Sequence, residues 1–146
     1  LFRDKIDDIM EQVKCPVAVF VNRSYREGAL VSFVLGGMID VFLLSYLNIM
    51  LQNGHSVRLF LFETDDEEFH QCIDDLLAHY ADQIVVVWFA GVEELVTKEK
   101  DGLLVMSHLS YTKLSEDELV MRELSSLLVI RRNKNKGEKN ERLEIG

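Results

Sequence analysis

A long apolar stretch with a single charged residue, Asp40, constrains this chain more than any other feature: Ala29–Asn53, ALVSFVLGGMIDVFLLSYLNIMLQN. The stretch is long enough to cross a bilayer as one helix. It also fits a buried strand, Leu30–Leu35, followed by a glycine turn and an apolar helix, Met38–Gln52. We favour the second interpretation, because paired glycines interrupt a helix and Asp40 would lie near the bilayer centre without a partner.

The remaining apolar runs alternate between strand and helix patterns. The other predicted strands are Val17–Val21, His55–Glu63, Ile84–Phe89, Leu103–Met106 and Leu127–Ile130. The other predicted helices are Leu1–Lys14, Asp65–Tyr80, Gly91–Lys100 and Ser115–Leu124, the last with a capping box formed by Ser115 and Glu118. Ser107–Lys113 is predicted as a loop. From residue 29 onward this alternation predicts an α/β fold, a five-stranded parallel sheet doubly wound with helices on both faces.

The opening helix and strand, 1–21, do not fit that series. The segment 22–28 is a polar linker without a crossover helix, so Val17–Val21 should pair antiparallel or lie at a distance. Residues 29–131 form the α/β domain, and 132–146 form a charged tail. The chain starts with Leu1 rather than Met and shows no signal peptide, so we expect it to be part of a longer protein.

Composition narrows the possible functions. With 146 residues the chain can bury one core, and its net charge of −9 argues against nucleic acid as a partner. The two cysteines, Cys15 and Cys72, lie in or beside apolar stretches and are predicted to be reduced core thiols. The four histidines lack metal-site spacing, so no metal is expected.

Two motifs carry a resemblance to a known family. The segments Lys14–Arg23 (KCPVAVFVNR) and Val31–Gly37 (VSFVLGG) resemble the cytosolic C-terminal region of monovalent cation/proton (Na+/H+) antiporters. In that region two halves similar to universal stress proteins follow a membrane transporter. The resemblance reaches to Arg131. It implies that 1–21 close the first half and that 29–131 are the second half.

The resemblance also implies details of the sheet and its partners. Its strand order would be 3-2-1-4-5, with Val17–Val21 antiparallel to Leu127–Ile130. The partners would be the antiporter's own transmembrane domain, its first cytosolic half and a second copy in a homodimer. The domain would then lie at the cytoplasmic face of the membrane, downstream of about ten or more apolar spans of roughly 20 residues.

In a sheet of this order a ligand binds where the strand order reverses. The candidate ligand-binding residues of that crevice are Gly36, Gly37, Asp40, Ser107 and His108. The glycines and the following helix start favour an anion. ATP-binding stress proteins carry G-x2-G-x9-G-[ST] after the fourth strand, whereas this chain has SHLSYTK. A family-type ATP site is therefore doubtful, and we expect no cofactor, with a degenerate nucleotide pocket left open.

No catalytic constellation is evident, so we expect a protein that is not an enzyme. His108 lies beside Ser107 and Ser110, but a solvated or capping histidine is the simpler interpretation. His108 is also a candidate pH sensor. The favoured hypothesis is a non-enzymatic regulatory domain of an antiporter that senses a small ligand or pH. The alternative is a stand-alone nucleotide-binding protein similar to universal stress proteins.

Overall fold

Six strands form one sheet in the computed structural model, which describes residues 2–132, with side chains from residue 5 onward. The strands are β1 (Val17–Val21), β2 (Val31–Leu35), β3 (Val57–Phe62), β4 (Ile84–Phe89), β5 (Leu103–Ser107) and β6 (Ser126–Arg131). Their spatial order is β1-β6-β5-β2-β3-β4. All neighbours are parallel except β1 and β6, which run antiparallel with Val21 opposite Leu127. The α/β class and the antiparallel placement of Val17–Val21 are confirmed.

Helices cover both faces of the sheet. They are α1 (Phe2–Gln12), α2 (Leu44–Gln52), α3 (Glu67–Tyr80), α4 (His108–Leu114) and α5 (Glu118–Glu123), with 3-10 turns at Met38–Leu43, Ala81–Gln83 and Val92–Leu95. One core cluster joins the sheet to α1, α4, α5 and the turn 92–95. The other joins it to α2, α3 and the turn 38–43. The result is a three-layer α/β/α arrangement.

Strand β2 lies in the middle of the sheet, and this position explains why every residue of the strand except Ser32 is apolar. Successive strand residues point to opposite faces, so Val34 packs in the first core cluster while Phe33 and Leu35 pack in the second. All three are at most 3% exposed. A strand buried on both faces has no solvated side to carry polar residues.

The stretch 29–53 is not one helix. Gly37 follows β2 with φ 154° and ψ −165°, a backbone conformation that side chains disfavour. The chain then forms the 3-10 turn Met38–Leu43, and α2 begins only at Leu44. The predicted single helix Met38–Gln52 is therefore wrong in its first half. Among the described residues, no helix is both long and apolar enough to cross a membrane.

The N-terminal helix and strand are firmly attached to the main sheet. On α1, Ile6 and Met10 are buried in the first core cluster. The buried guanidinium of Arg131 donates to the carbonyl oxygens of Met10 and Val13 and, over 2.7 Å, to that of Cys15. These carbonyls lie at and beyond the end of α1, where a helix leaves its last acceptors without internal partners. Arg131 therefore caps α1 from the last strand.

Three local predictions are wrong. Ser107–Lys113 is not a loop, because α4 begins there with Ser107 as its N-cap. The segment Gly91–Lys100 is not a full helix, since only one 3-10 turn forms before the backbone becomes extended at Val96. The capping box of Ser115 and Glu118 is absent. The Ser115 hydroxyl instead donates to the Thr112 carbonyl oxygen, and Ser115 is the residue that caps the end of α4.

Two further expectations concern single groups. Both cysteines are free, but Cys15 is exposed rather than in the core, and Cys72 is half-buried. The N-cap of α5 is Asp117, whose carboxylate accepts from the Val120 N–H at 3.1 Å. The charged tail predicted for 132–146 lies outside the described residues apart from Arg132.

Candidate functional site

The carboxyl ends of β2 and β5 lie side by side, at the point where the strand order of the sheet reverses. From β2 the sheet continues through β3 on one side and β5 on the other. The segments that follow these two strands therefore diverge to opposite faces and leave a crevice between them. The glycine turn after β2 and the start of α4 after β5 form its edges.

Asp40 is the central polar group of this crevice. It is only 1% exposed. Its Oδ2 atom accepts from the backbone N–H of Gly36 at 2.7 Å and from the hydroxyl of Ser110 at 2.8 Å. One carboxylate oxygen thus ties together the end of β2, the 3-10 turn and α4. Its other oxygen, Oδ1, is buried and has no hydrogen-bond partner among the described residues.

The glycine at position 36 leaves room for the close approach of Asp40. A Cβ atom added there would lie 3.2 Å from Asp40 Oδ2 and 3.4 Å from Ser110 Oγ. Contacts that short force the neighbouring groups to move by a few tenths of an ångström. The absence of a side chain at Gly36 therefore lets a carboxylate reach the backbone N–H, much as glycines elsewhere admit phosphates.

A cavity of about 170 Å³ adjoins Asp40. Its walls are mainly apolar: Val34, Phe89, Val92, Leu95, Met106 and Leu114 contribute, together with Gly36 and Ser110. Its more exposed lining residues are Ile39 (54%), Phe62 (41%) and Leu109 (42%), which we call the apolar rim. Lys113 is also an exposed lining residue, and its ammonium group makes no hydrogen bond or ion pair within residues 5–132.

One wall of the cavity is the 3-10 turn Val92–Leu95, which is held by Glu94. The Glu94 carboxylate accepts from the backbone N–H groups of Ala90 at 2.7 Å and Gly91 at 2.9 Å. The hydrogen bond from Gly91, followed by that from Ala90, lowers the pKa of Glu94 below its usual 4.5. Leu95 at the end of this turn is buried in the first core cluster.

The structure brings together only part of the predicted site. Gly36 and Asp40 line the cavity, whereas Gly37, Ser107 and His108 do not. The Ser107 hydroxyl instead accepts from the Ser110 N–H at 3.1 Å and caps α4. The half-buried His108 has its Nε2 atom 2.8 Å from Asp7 Oδ1 on α1. His108 therefore joins α4 to α1, and the hydrogen bonds of the described residues include none between His108 and Ser110.

An anion bound at the glycine turn, as the sequence predicts, would compete with a side chain of the protein itself. The N–H of Gly36 already donates to an anion, the carboxylate of Asp40. A phosphate group would have to displace a buried, doubly hydrogen-bonded side chain to reach it. The open part of the crevice is an apolar cavity instead.

Sequence reasoning missed the residues that give the cavity its character. In the sequence, Ser110 stands out only beside His108, and Leu109 and Lys113 fall within the predicted loop Ser107–Lys113. Once 108–114 is recognised as a helix, the i and i+3/i+4 spacing puts Lys113 on the same side as Ser110 and Leu109. The usable signal was Ser107, a helix-capping residue type at the end of an apolar strand.

The described residues contain no group of three or more His, Cys, Asp or Glu side chains placed to hold a metal ion. Comparisons of the chain with protein-family models, with curated proteins and with solved structures give no match. The fold and the cavity therefore rest on the geometry described above.

Proposed function

We propose that this chain is a non-enzymatic regulatory domain of a monovalent cation/proton antiporter and lies at the cytoplasmic face of the membrane. Its partners would be the transporter's transmembrane domain, a preceding cytosolic half and a second copy of the chain. The observation that carries the proposal is the addition of β1 antiparallel to β6. A helix–strand unit left over from a preceding half would be expected at this edge, given the resemblance of the 14–37 segment to antiporter C-terminal regions.

The strand order supports the same proposal. Without β1, the sheet order β4-β3-β2-β5-β6 corresponds to 3-2-1-4-5, the order of the universal stress proteins. Two contacts would then link the two halves: the cap that Arg131 gives to α1, and the pair of Asp7 with His108. An effector acts on such a domain by binding one conformation better than another, and the crevice beside Asp40 is our candidate for its binding site.

The alternative, a stand-alone nucleotide-binding protein, is less well supported. A nucleotide would need free backbone N–H groups at the glycine turn, and Asp40 engages that of Gly36. Calorimetric titration of the 146-residue chain with ATP tests it directly. Saturable micromolar binding would favour this alternative over the regulatory domain.

The test of the regulatory proposal is transport by the full-length gene product. The full-length protein would be produced in antiporter-deficient cells, and everted membrane vesicles would be prepared from them. A pH gradient would be imposed across the vesicle membrane, and its dissipation on addition of Na+ or K+ would be measured between pH 6 and 8.5. We expect cation-dependent dissipation, and we expect His108→Ala to alter its dependence on pH because the variant breaks the link to Asp7. His79→Ala is the matched control, since His79 is exposed on α3 and its ring nitrogen hydrogen-bonds a backbone oxygen of its own helix.

A gene product without membrane spans, or one that moves no cation, would refute the proposal. Profiles that are identical for the wild-type protein and His108→Ala would refute pH sensing through this pair while leaving ligand sensing in place.

A further inference from the structure

We infer that the cavity beside Asp40 binds a small single-ring aromatic acid that carries a hydrogen-bond donor on its ring. This inference names the effector class of the proposed regulatory domain and rests on that proposal for its biological role. Binding itself is a property of the chain and can be measured without the transporter. Four observations, on size, walls, buried polar groups and charge, lead to this class.

The size of the cavity matches one ring. An engineered apolar cavity of about 150 Å³ in another protein stays dry and takes up benzene. The present cavity measures about 170 Å³. A single six-membered ring with a short substituent therefore fills it, whereas a purine with its sugar and phosphates would extend well beyond it.

The walls favour an aromatic ring. Phe62 and Phe89 both line the cavity and meet edge to face, with ring centroids 5.6 Å apart and an interplanar angle of 67°. A further ring can extend such an arrangement, because aromatic rings prefer edge-to-face and offset contacts. The exposed apolar rim is explained as well, since a bound ring would cover part of Ile39 and Leu109.

The buried carboxylate calls for a donor. Asp40 is only 1% exposed, and its Oδ1 atom lacks a hydrogen-bond partner among the described residues. A buried acceptor without a donor is costly. A phenolic O–H or ring N–H entering the cavity would supply that donor after a small adjustment of the side chain. Asp40 thus selects ligands that can donate.

The charge at the opening selects an acid. Lys113 is the one basic side chain that lines the cavity, and its ammonium group has no partner within residues 5–132. A carboxylate on a short arm would meet it there. An amine in the same place would be repelled by Lys113 and would lose hydration against apolar walls. A phosphate finds the N–H of Gly36 already engaged.

The probe is 4-hydroxyphenylacetate, titrated into the 146-residue chain and followed by calorimetry and protein-observed NMR. Phenylacetate lacks the donor, tyramine replaces the acid with an amine, and ATP tests the nucleotide alternative. We expect saturable binding of 4-hydroxyphenylacetate with a Kd between about 10 μM and 1 mM. We expect phenylacetate to bind about tenfold more weakly, and we expect neither tyramine nor ATP to saturate the chain.

Three variants locate the site. Lys113→Met should weaken binding of 4-hydroxyphenylacetate about fivefold, the effect of one partly solvated ion pair. Lys98→Met removes the same charge from an exposed position that does not line the cavity and should leave binding unchanged. Val92→Trp fills the cavity from a half-buried wall position and should abolish binding while the far-UV spectrum stays that of the folded chain.

The inference is overturned if the probe fails to saturate the wild-type chain at several millimolar, if tyramine or ATP binds as well, or if Val92→Trp does not affect binding. Transport measurements separate it from the proposed function. Binding without any effect on cation flux would refute the regulatory role of the ligand. Regulated cation flux without binding of the probe would refute the inferred ligand class but would not contradict the proposal of a regulatory domain.

Discussion

The carboxylate of Asp40 accepts a 2.7 Å hydrogen bond from the backbone N–H of Gly36, four residues earlier in the chain. The chain thus supplies its own anion to the turn that in nucleotide-binding sheets faces a phosphate. The crevice retains the position of a ligand site but has a different chemical character, apolar with one enclosed carboxylate. Stability of the turn and selectivity of the cavity depend on the same side chain.

Replacing Asp40 with Ala should destabilise the chain by about 1–3 kcal/mol, because the backbone N–H of Gly36 and the hydroxyl of Ser110 both lose their acceptor in hydrogen bonds that are partly shielded from water. Ser110→Ala removes only one donor and should cost about 1 kcal/mol. Urea unfolding followed by circular dichroism measures both. Asp74→Ala, on the exposed side of α3, is the control and should stay within about 0.5 kcal/mol of the wild-type protein. An Asp40→Ala variant as stable as this control would contradict the role given to Asp40.

Two glycines should differ in how well they tolerate alanine. At Gly102 an added Cβ would lie 2.8 Å from the backbone oxygen of Leu30, which is held in place by the Leu103 N–H at 3.0 Å. At Gly36 the nearest atoms are side-chain oxygens, which can move. We expect Gly102→Ala to cost more than about 2 kcal/mol and Gly36→Ala about 1 kcal/mol. Thermal and urea unfolding give the ranking, and the reverse order would show that the Asp40 contact is the more rigid one.

Replacing Arg131 with Met should release α1 from the sheet. The variant removes the donors that serve Met10, Val13 and Cys15, and we expect a loss of about 3 kcal/mol. Hydrogen exchange should show the first effect in residues 2–21. Arg122→Met, at an exposed position on α5, is the control. Uniform acceleration of exchange across the sheet, without preference for 2–21, would argue against this capping role.

The wall turn at 92–95 should make stability depend on pH through Glu94. Its pKa is lowered in the folded chain by the N–H groups of Gly91 and Ala90, so its contribution is present above about pH 4.5 and is lost as pH falls through the lower folded value. Glu94→Gln should therefore be less stable than the wild-type protein at pH 7, and the gap should close toward pH 3. Parallel thermal melts across this range measure it. A gap that does not change with pH would place the effect in packing rather than charge.

The strands could be predicted from the sequence because each is a short, mainly apolar run with polar or glycine residues close to its ends. Ile84–Phe89 has the predicted ends, and Leu103–Ser107 differs from its prediction by one residue. The predicted helix Asp65–Tyr80 is also found, as α3, with Asp66 at its start accepting from the N–H groups of Glu68 and Phe69. These features depend on local pattern alone.

The helices around the crevice could not be predicted in the same way, because tertiary contacts define them. The segment 108–114 is too short to show a helical period, and it is ordered by burial of Tyr111 and Leu114. The 3-10 turn after Gly37 forms where Asp40 reaches back to Gly36, a contact between side chain and backbone that no hydrophobic pattern reveals. The unpartnered oxygen of Asp40 likewise depends on the packing of three segments.

The antiparallel pairing of β1 with β6 has a consequence for assembly by strand exchange. The segment 22–30, which joins β1 to β2, includes Ser24 and Gly28, both with positive φ (72° and 86°), and an extended form of this segment would relieve the backbone strain at Ser24. If it opened in two copies, each α1–β1 unit could seat on the β6 of the other copy. Every contact of β1 with β6 would be remade in the same register, and Arg131 would cap the neighbour's helix. The closed chain and the exchanged dimer would then differ only in the conformation of the segment 22–30. The protein concentration would set the balance between the two forms.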